Sequence, residues 1–192
     1  MMLRSFIAIE LPTEIQQAIS RSTASLQKAL PRPLVRWVAS QNIHLTLKFL
    51  GDVSTANLER LEEALKLEVI TYPAFTMSVN KLGAFPSPRR PRVFWIGLEA
   101  PSTLLALQRA VEAVAARMGY PLKERPFSPH LTIGRASQNI TAAELQKIRT
   151  ALEENTVGML GTVQVNAIQV FKSDLQSSGP VYTLMYSLPL KS

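Results

Sequence analysis

Two stretches of this chain, 86 residues apart, carry one four-residue pattern: His44-Leu45-Thr46-Leu47 and His130-Leu131-Thr132-Ile133. The offset recurs elsewhere. Val79-Asn80 matches Val165-Asn166, and Phe85 matches Phe171. The opening run from Arg4 to Pro12 resembles Arg92 to Pro101, at an offset of 92 − 4 = 88 from its first residue. Both runs are apolar and close on a proline ahead of a helical stretch. Such a chain is two copies of one plan, and two copies are too few for a solenoid. At 192 residues it is expected to form a single bilobal domain, with repeats of about 1–90 and 91–192 and room for strands to exchange between lobes.

Each copy reads strand, helix, His-x-Thr strand, helix, strand. The first helix is expected over Thr13–Leu30 and its counterpart over Ser102–Met118. In the latter, Leu104, Leu107, Val111, Val114 and Met118 recur at spacings of three and four and share a face. Ser54 or Thr55 caps the next helix, ahead of Leu58, Leu61, Leu65 and Val69. Its counterpart opens on the capping box Thr141-Ala142-Ala143-Glu144, followed by Leu145, Ile148 and Leu152. Branched and aromatic residues predict strands over Phe75–Leu82, Thr162–Phe171 and Val181–Leu188. Turns are expected at Phe85–Pro91 and Ser177–Pro180.

No apolar run approaches the roughly 20 residues of a membrane span, and the opening residues read as a first strand, not a signal peptide. The chain has no cysteine, which excludes disulfides, thiolate metal ligands and a cysteine nucleophile. A cytoplasmic location is expected. Lys and Arg total 21 against 14 Asp and Glu, a net charge of +7 that favours polyanionic partners. The densest basic patch is Pro88-Arg89-Arg90-Pro91-Arg92, read equally well as a solvated loop or as a phosphate-facing segment.

Residues i and i+2 share a face of a strand, so His44 points with Thr46 and His130 with Thr132, while the leucines and Ile133 pack beneath. Two symmetry-related strands side by side would direct both pairs into one cleft. Histidine changes charge near neutral pH, and a threonine hydroxyl can donate to a phosphoryl oxygen. This set suits displacement at phosphorus, with one imidazole as general base and the other as general acid. A lone histidine on a strand is ordinarily a packed residue. Two at equivalent points of a duplicated chain that holds no other favour function. Two histidines without a nearby third His, Cys or carboxylate make a poor metal site, and Asp52, after Gly51, reads as turn chemistry. No metal or cofactor is expected.

These residues resemble the two-histidine (2H) phosphoesterase superfamily, most of all its RNA 2′,3′-cyclic phosphodiesterases, also called 2′-5′ RNA ligases. The matching blocks are Arg4-x-Phe6-Ile7-Ala8-Ile9, Asn42 to Gly51, Arg92 to Gly97, Pro126 to Arg135, and Ser173-x-Leu175 with Gly179-Pro180-x-Tyr182. The resemblance implies an α+β fold, bilobal with pseudo-twofold symmetry, in which two antiparallel sheets flanked by helices enclose a central cleft. It implies hydrolysis of an RNA 2′,3′-cyclic phosphate to a 2′-phosphate, reversible as 2′-5′ ligation, without metal or nucleotide cofactor. It makes His44 the proton donor to the leaving oxygen and His130 the acceptor from water, with Thr46 and Thr132 on the phosphoryl oxygens. The implied partner is an RNA end, such as that of a tRNA fragment, bound by a monomer.

Phe49 and Arg135 each lie five residues after their histidine. Strict alternation turns both away from the cleft, and only a strand end or bulge returns them. The resemblance suggests that they do return, Phe49 to stack on a base and Arg135 to contact phosphate, although Phe49 also reads as core. Lys48, on the histidine face by alternation, is the rival phosphate contact, and Arg89, Arg90 and Lys123 are candidate guides for RNA. Two other readings stay open: a small nucleotide substrate such as ADP-ribose 1″,2″-cyclic phosphate, and a module that binds RNA ends without turnover.

Overall fold

The opening apolar run becomes β1 (Met2–Glu10), a central strand with five consecutive buried residues, Ser5 to Ile9, so that both of its faces are covered. A computed structural model describes residues 1–122, 125–176 and 179–191. After β1 come α1 (Thr13–Ser22) and α2 (Ala24–Ala29), the short β2 (Val35–Trp37), and a single 3-10 turn at Ser40–Asn42 that delivers the chain to β3 (His44–Ser54). Next are α3 (Thr55–Val69), β4 (Phe75–Phe85), β5 (Val93–Glu99), α4 (Ser102–Arg117), β6 (His130–Ala136) and α5 (Ala142–Glu154). The chain closes with β7 (Gly161–Val165), β8 (Ala167–Gln176) and β9 (Gly179–Pro189).

The helix expected over 13–30 arrives in two pieces. Thr23 ends the first because its hydroxyl donates to the carbonyl of Ile19 (2.8 Å), the back-bond by which a buried threonine bends a helix. The two later helices begin as their caps dictate. The Ser54 hydroxyl accepts from the Asn57 N–H, and Thr141 with Glu144 forms the complete capping box. Leu104, Leu107, Val111 and Val114 of α4 are fully buried with Leu58, Leu61, Leu65 and Val69 of α3, so the apolar stripes cover one face of the sheet.

The nine strands among the described residues belong to one antiparallel sheet, in the order β7-β4-β5-β6-β3-β1-β8-β9, with β2 added to β6. In place of two separate sheets there are two half-sheets that meet at one residue pair, Leu45 opposite Leu131. Because 131 − 45 = 86, this pair lies on the axis relating the two copies. The halves trade strands: β4 pairs with β5, whereas β8 and β9 lie beside β1. That trade divides the segment expected as one strand over 162–171. It breaks at Asn166, since β7 pairs with β4 in one half-sheet and β8 with β1 in the other. The pairing also refines the offset of the first strands. Ala8 faces Thr46 as Trp95 faces Thr132, so β1 and β5 correspond at 95 − 8 = 87 rather than 88.

Candidate active site

Matched bulges shape both histidine strands. In β3, Ala8 pairs with Thr46 and Ile7 with Lys48, which leaves Leu47 as the extra residue. In β6, Trp95 pairs with Thr132 and Phe94 with Gly134, leaving Ile133, and 133 − 47 = 86. A bulge adds one residue to one strand and reverses the parity of everything beyond it. Leu47 and Lys48 are thus both buried in succession, and Phe49 comes back to the face of His44 and Thr46. Ile133 and Gly134 do the same, and Arg135 comes back to the face of His130 and Thr132. Extending the Leu45–Leu131 pair by one residue each way sets His44 opposite Thr132 and His130 opposite Thr46. The two histidines are then diagonal neighbours, about 7–8 Å apart in a regular antiparallel ladder.

Each imidazole is aimed by its own strand entry. His44 Nδ1 lies 2.8 Å from the Asn42 carbonyl and His130 Nδ1 lies 2.7 Å from the Ser128 carbonyl. A carbonyl can only accept, so Nδ1 carries the proton in both rings, which sets the tautomer and the direction of each ring. The surroundings differ. His44 stacks on Phe6 (centroids 4.8 Å apart) and meets the edge of Tyr182, whereas His130 is half-buried against the edge of Phe85. Burial holds the His44 pKa below the ordinary value of 6.5, against the opposing pull of the Asn42 carbonyl.

A cleft of about 480 Å³ opens over this face. His44, Thr46, Thr132, Phe49 and Arg135 line it; His130 is not part of this lining and begins β6 two residues before Thr132. Phe49 is 57% exposed there despite its size, the condition for a stacking platform. Tyr182 closes the side beside His44. Its burial raises the hydroxyl pKa, against the positive charges of Arg135 and Arg4, so the phenol keeps its proton. The cleft lining also includes Arg32, Arg36 and Asn42, and among the described residues no carboxylate lines it.

The model of the LigT like phosphoesterases matches the chain twice, over residues 9–95 and 96–182. The chain belongs to the LigT like phosphoesterase family. The RNA 2′,3′-cyclic phosphodiesterase of Methanothermobacter thermautotrophicus is 34% identical over 185 residues, 96% of this chain and 97% of that protein. The protein of the same name from Escherichia coli K12 is 39% identical over 142 residues, 72% of this chain and 75% of its own. Escherichia coli LigT, crystallised with 3′-AMP, superposes with a TM-score of 0.78 at 30% identity, each chain covered completely.

In this LigT like phosphoesterase the bulges overturn one expectation from alternation. Lys48 does not face the cleft. It is 1% exposed beneath α4, where its ammonium donates to Glu112 and to the Pro121 carbonyl, both at 2.5 Å. The cause is Leu47, which shifts the parity just ahead of it. Asp52 is not in a turn either. Gly51 takes a positive φ of 73°, and β3 continues through Asp52, opposite Arg4, to Ser54. Arg89 and Arg90 lie apart from the cleft: the Arg89 carbonyl accepts from Arg149 of α5, and the Arg89 side chain borders a different hollow. Lys123 falls outside the described residues. Arg32 and Arg36 are the cationic residues that sequence reasoning passed over, since they lie outside the duplicated pattern. Among the described residues no cluster of three His, Cys, Asp or Glu could hold a metal ion, and no helix is long and apolar enough to cross a membrane.

Proposed function

We propose that the protein hydrolyses the 2′,3′-cyclic phosphate at an RNA end to a 2′-phosphate, with His44 and His130 as the acid–base pair. The observation that carries this reading is the paired geometry: two His-x-Thr strands meeting at Leu45–Leu131, each imidazole held through Nδ1 by a carbonyl of its own strand entry. The names of the two curated relatives support the same substrate. His130 takes a proton from water as the water oxygen bonds to phosphorus. The bond from phosphorus to O3′ breaks, and His44 protonates that oxygen. Thr46 and Thr132 donate to the non-bridging oxygens, Phe49 stacks on the terminal base, and Arg135 contacts RNA phosphate. In the reverse direction the histidines exchange roles, and a 2′-5′ linkage forms. One chain supplies both histidines, so a monomer suffices.

The test is to incubate the protein with a short RNA ending in a 2′,3′-cyclic phosphate, in EDTA, and to identify the product. A 2′-monophosphate is expected. A 3′-monophosphate, or no turnover, overturns the reading.

The pH profile of kcat/KM is expected to be a bell, because the active pair shares one proton. Falling pH adds a second proton, and the burial of His44 opposes that addition, so the acid limb lies below pH 6.5. The Phe6→Ala variant lets water reach the His44 ring and relieves the desolvation. Its acid limb moves to higher pH. A limb that stays in place would show that His44 does not control it.

A further inference from the structure

On the cleft face the two copies diverge beyond the histidines. The half-sheet carrying His44 continues into an aromatic cluster: Phe6 contacts Phe49, Phe171 and Tyr182, with ring centroids 4.9–6.1 Å apart. The half-sheet carrying His130 continues into guanidinium groups. Arg135 of β6 is directly opposite Arg36 of β2. Directly opposed residues of an antiparallel pair share a face, and like charges so placed repel. Arg32 lines the same cleft, and among the described residues no carboxylate lines it to relieve the repulsion. The two ion pairs among the described residues, Lys48–Glu112 and Lys172–Asp174, involve none of these arginines.

The frame beneath this pair is rigid. Beyond the ladder itself, the Val38 N–H donates to the Ile133 carbonyl and the Ser137 N–H to the Leu34 carbonyl, each at 2.9 Å. Trp37 turns to the opposite face, where its indole N–H donates to the Leu30 carbonyl (2.9 Å). A Cβ at Gly134 would lie 2.7 Å from the Trp37 ring, so the absence of a side chain there lets β2 lie close against β6. Two arginines are therefore held side by side on paired strands that share the sheet with the histidines, and neither has an ion-pair partner among the described residues.

We infer that Arg36 and Arg135 form a second anion subsite that holds the phosphodiester joining the last two nucleotides of the RNA. This rests on the hydrolytic reading for the position of the first phosphate. An RNA strand carries one phosphate per nucleotide, and the planar fork of a guanidinium matches two of its oxygens. The aromatic cluster takes the terminal base, the histidines take the cyclic phosphate, and the arginine pair takes the next phosphate along the chain. A mononucleotide cyclic phosphate leaves that subsite empty, so the preferred substrate is an oligonucleotide of two residues or more.

The test compares kcat/KM for cytidine 2′,3′-cyclic phosphate with that for a dinucleotide ending in the same group. Wild-type protein is expected to favour the dinucleotide by roughly tenfold or more, the increment of one charge-assisted contact. Arg36→Gln should erase most of that preference and Arg36→Lys less of it; any loss common to both substrates cancels in the ratio. An Arg36→Gln variant that keeps the wild-type preference overturns the subsite. Binding of a 2′-O-methyl oligonucleotide with a 3′-phosphate, titrated against salt, reads the subsite without turnover. Arg36→Gln should flatten the slope of log K against log salt by about 0.7, the loss of one contact to a single strand. If wild-type protein turns over neither substrate, the hydrolytic reading fails and the binding slope decides: a flattened slope supports the subsite, an unaltered one overturns it.

Discussion

Replacing either histidine with alanine is expected to lower turnover of an RNA 2′,3′-cyclic phosphate by about 10²–10⁴-fold, the range that one proton transfer contributes. The double variant should be little worse than either single one, because groups that act as a unit do not contribute additively. Packing complicates the comparison at His44, which is stacked on Phe6. His44→Asn and His130→Asn are the stricter probes. The asparagine amide can still donate to the Asn42 or Ser128 carbonyl, yet it cannot move a proton at neutral pH. Both should remain folded and inactive. A substrate with sulfur in place of O3′ separates the roles, since a thiolate leaves without protonation. It should restore much of the rate of His44→Asn and none of that of His130→Asn. Rescue of the His130 variant instead would reverse the donor and acceptor. Near-normal turnover of the natural ester in either variant would remove the paired mechanism altogether.

Much of this site is legible from a strand period of two and a repeat. The duplicated His-x-Thr pattern locates the four groups, and alternation puts each threonine beside its histidine. Alternation then fails at Leu47 and Ile133, because a bulge is set by what the neighbouring strand pairs with. Ile7 pairs with Lys48 and Phe94 with Gly134, and neither pairing is local to the motif. The same cause returns Phe49 and Arg135 to the cleft and sends Lys48 into the core. Arg36 escaped for a different reason. It sits on a three-residue strand, too short to show a period, and acquires its place only through β6, some 100 residues further along (135 − 36 = 99). The Arg89–Arg90 patch drew attention by density of charge, which says nothing about where a loop lies. Exchange of strands between the half-sheets was equally hidden, since a strand's sequence records its burial rather than its partner.

Breaking the buried Lys48–Glu112 pair is expected to be the most damaging change to stability. The two side chains are 2% and 10% exposed, and the ammonium donates to Glu112 and to the Pro121 carbonyl. Glu112→Ala leaves a buried charge without its counter-ion, a loss of about 3–5 kcal/mol. At about 2–4 °C per kcal/mol for a domain of this size, the melting temperature should fall by roughly 10 °C. Gln108 does not compensate, since its amide donates and cannot neutralise an ammonium. Lys48→Met with Glu112→Leu should recover most of the loss, because the desolvation of both charges disappears with their attraction. Thermal melts of the single and double variants at one pH make the comparison. If Glu112→Ala melts with the wild type, the ammonium has found water, and the pair contributes no more than an exposed one does. If instead the double variant is as unstable as the single, then the bond to Pro121 matters more than the charge pair. Lys48 would then serve chiefly to fasten the His44 strand to the chain that leaves α4 on its way to His130.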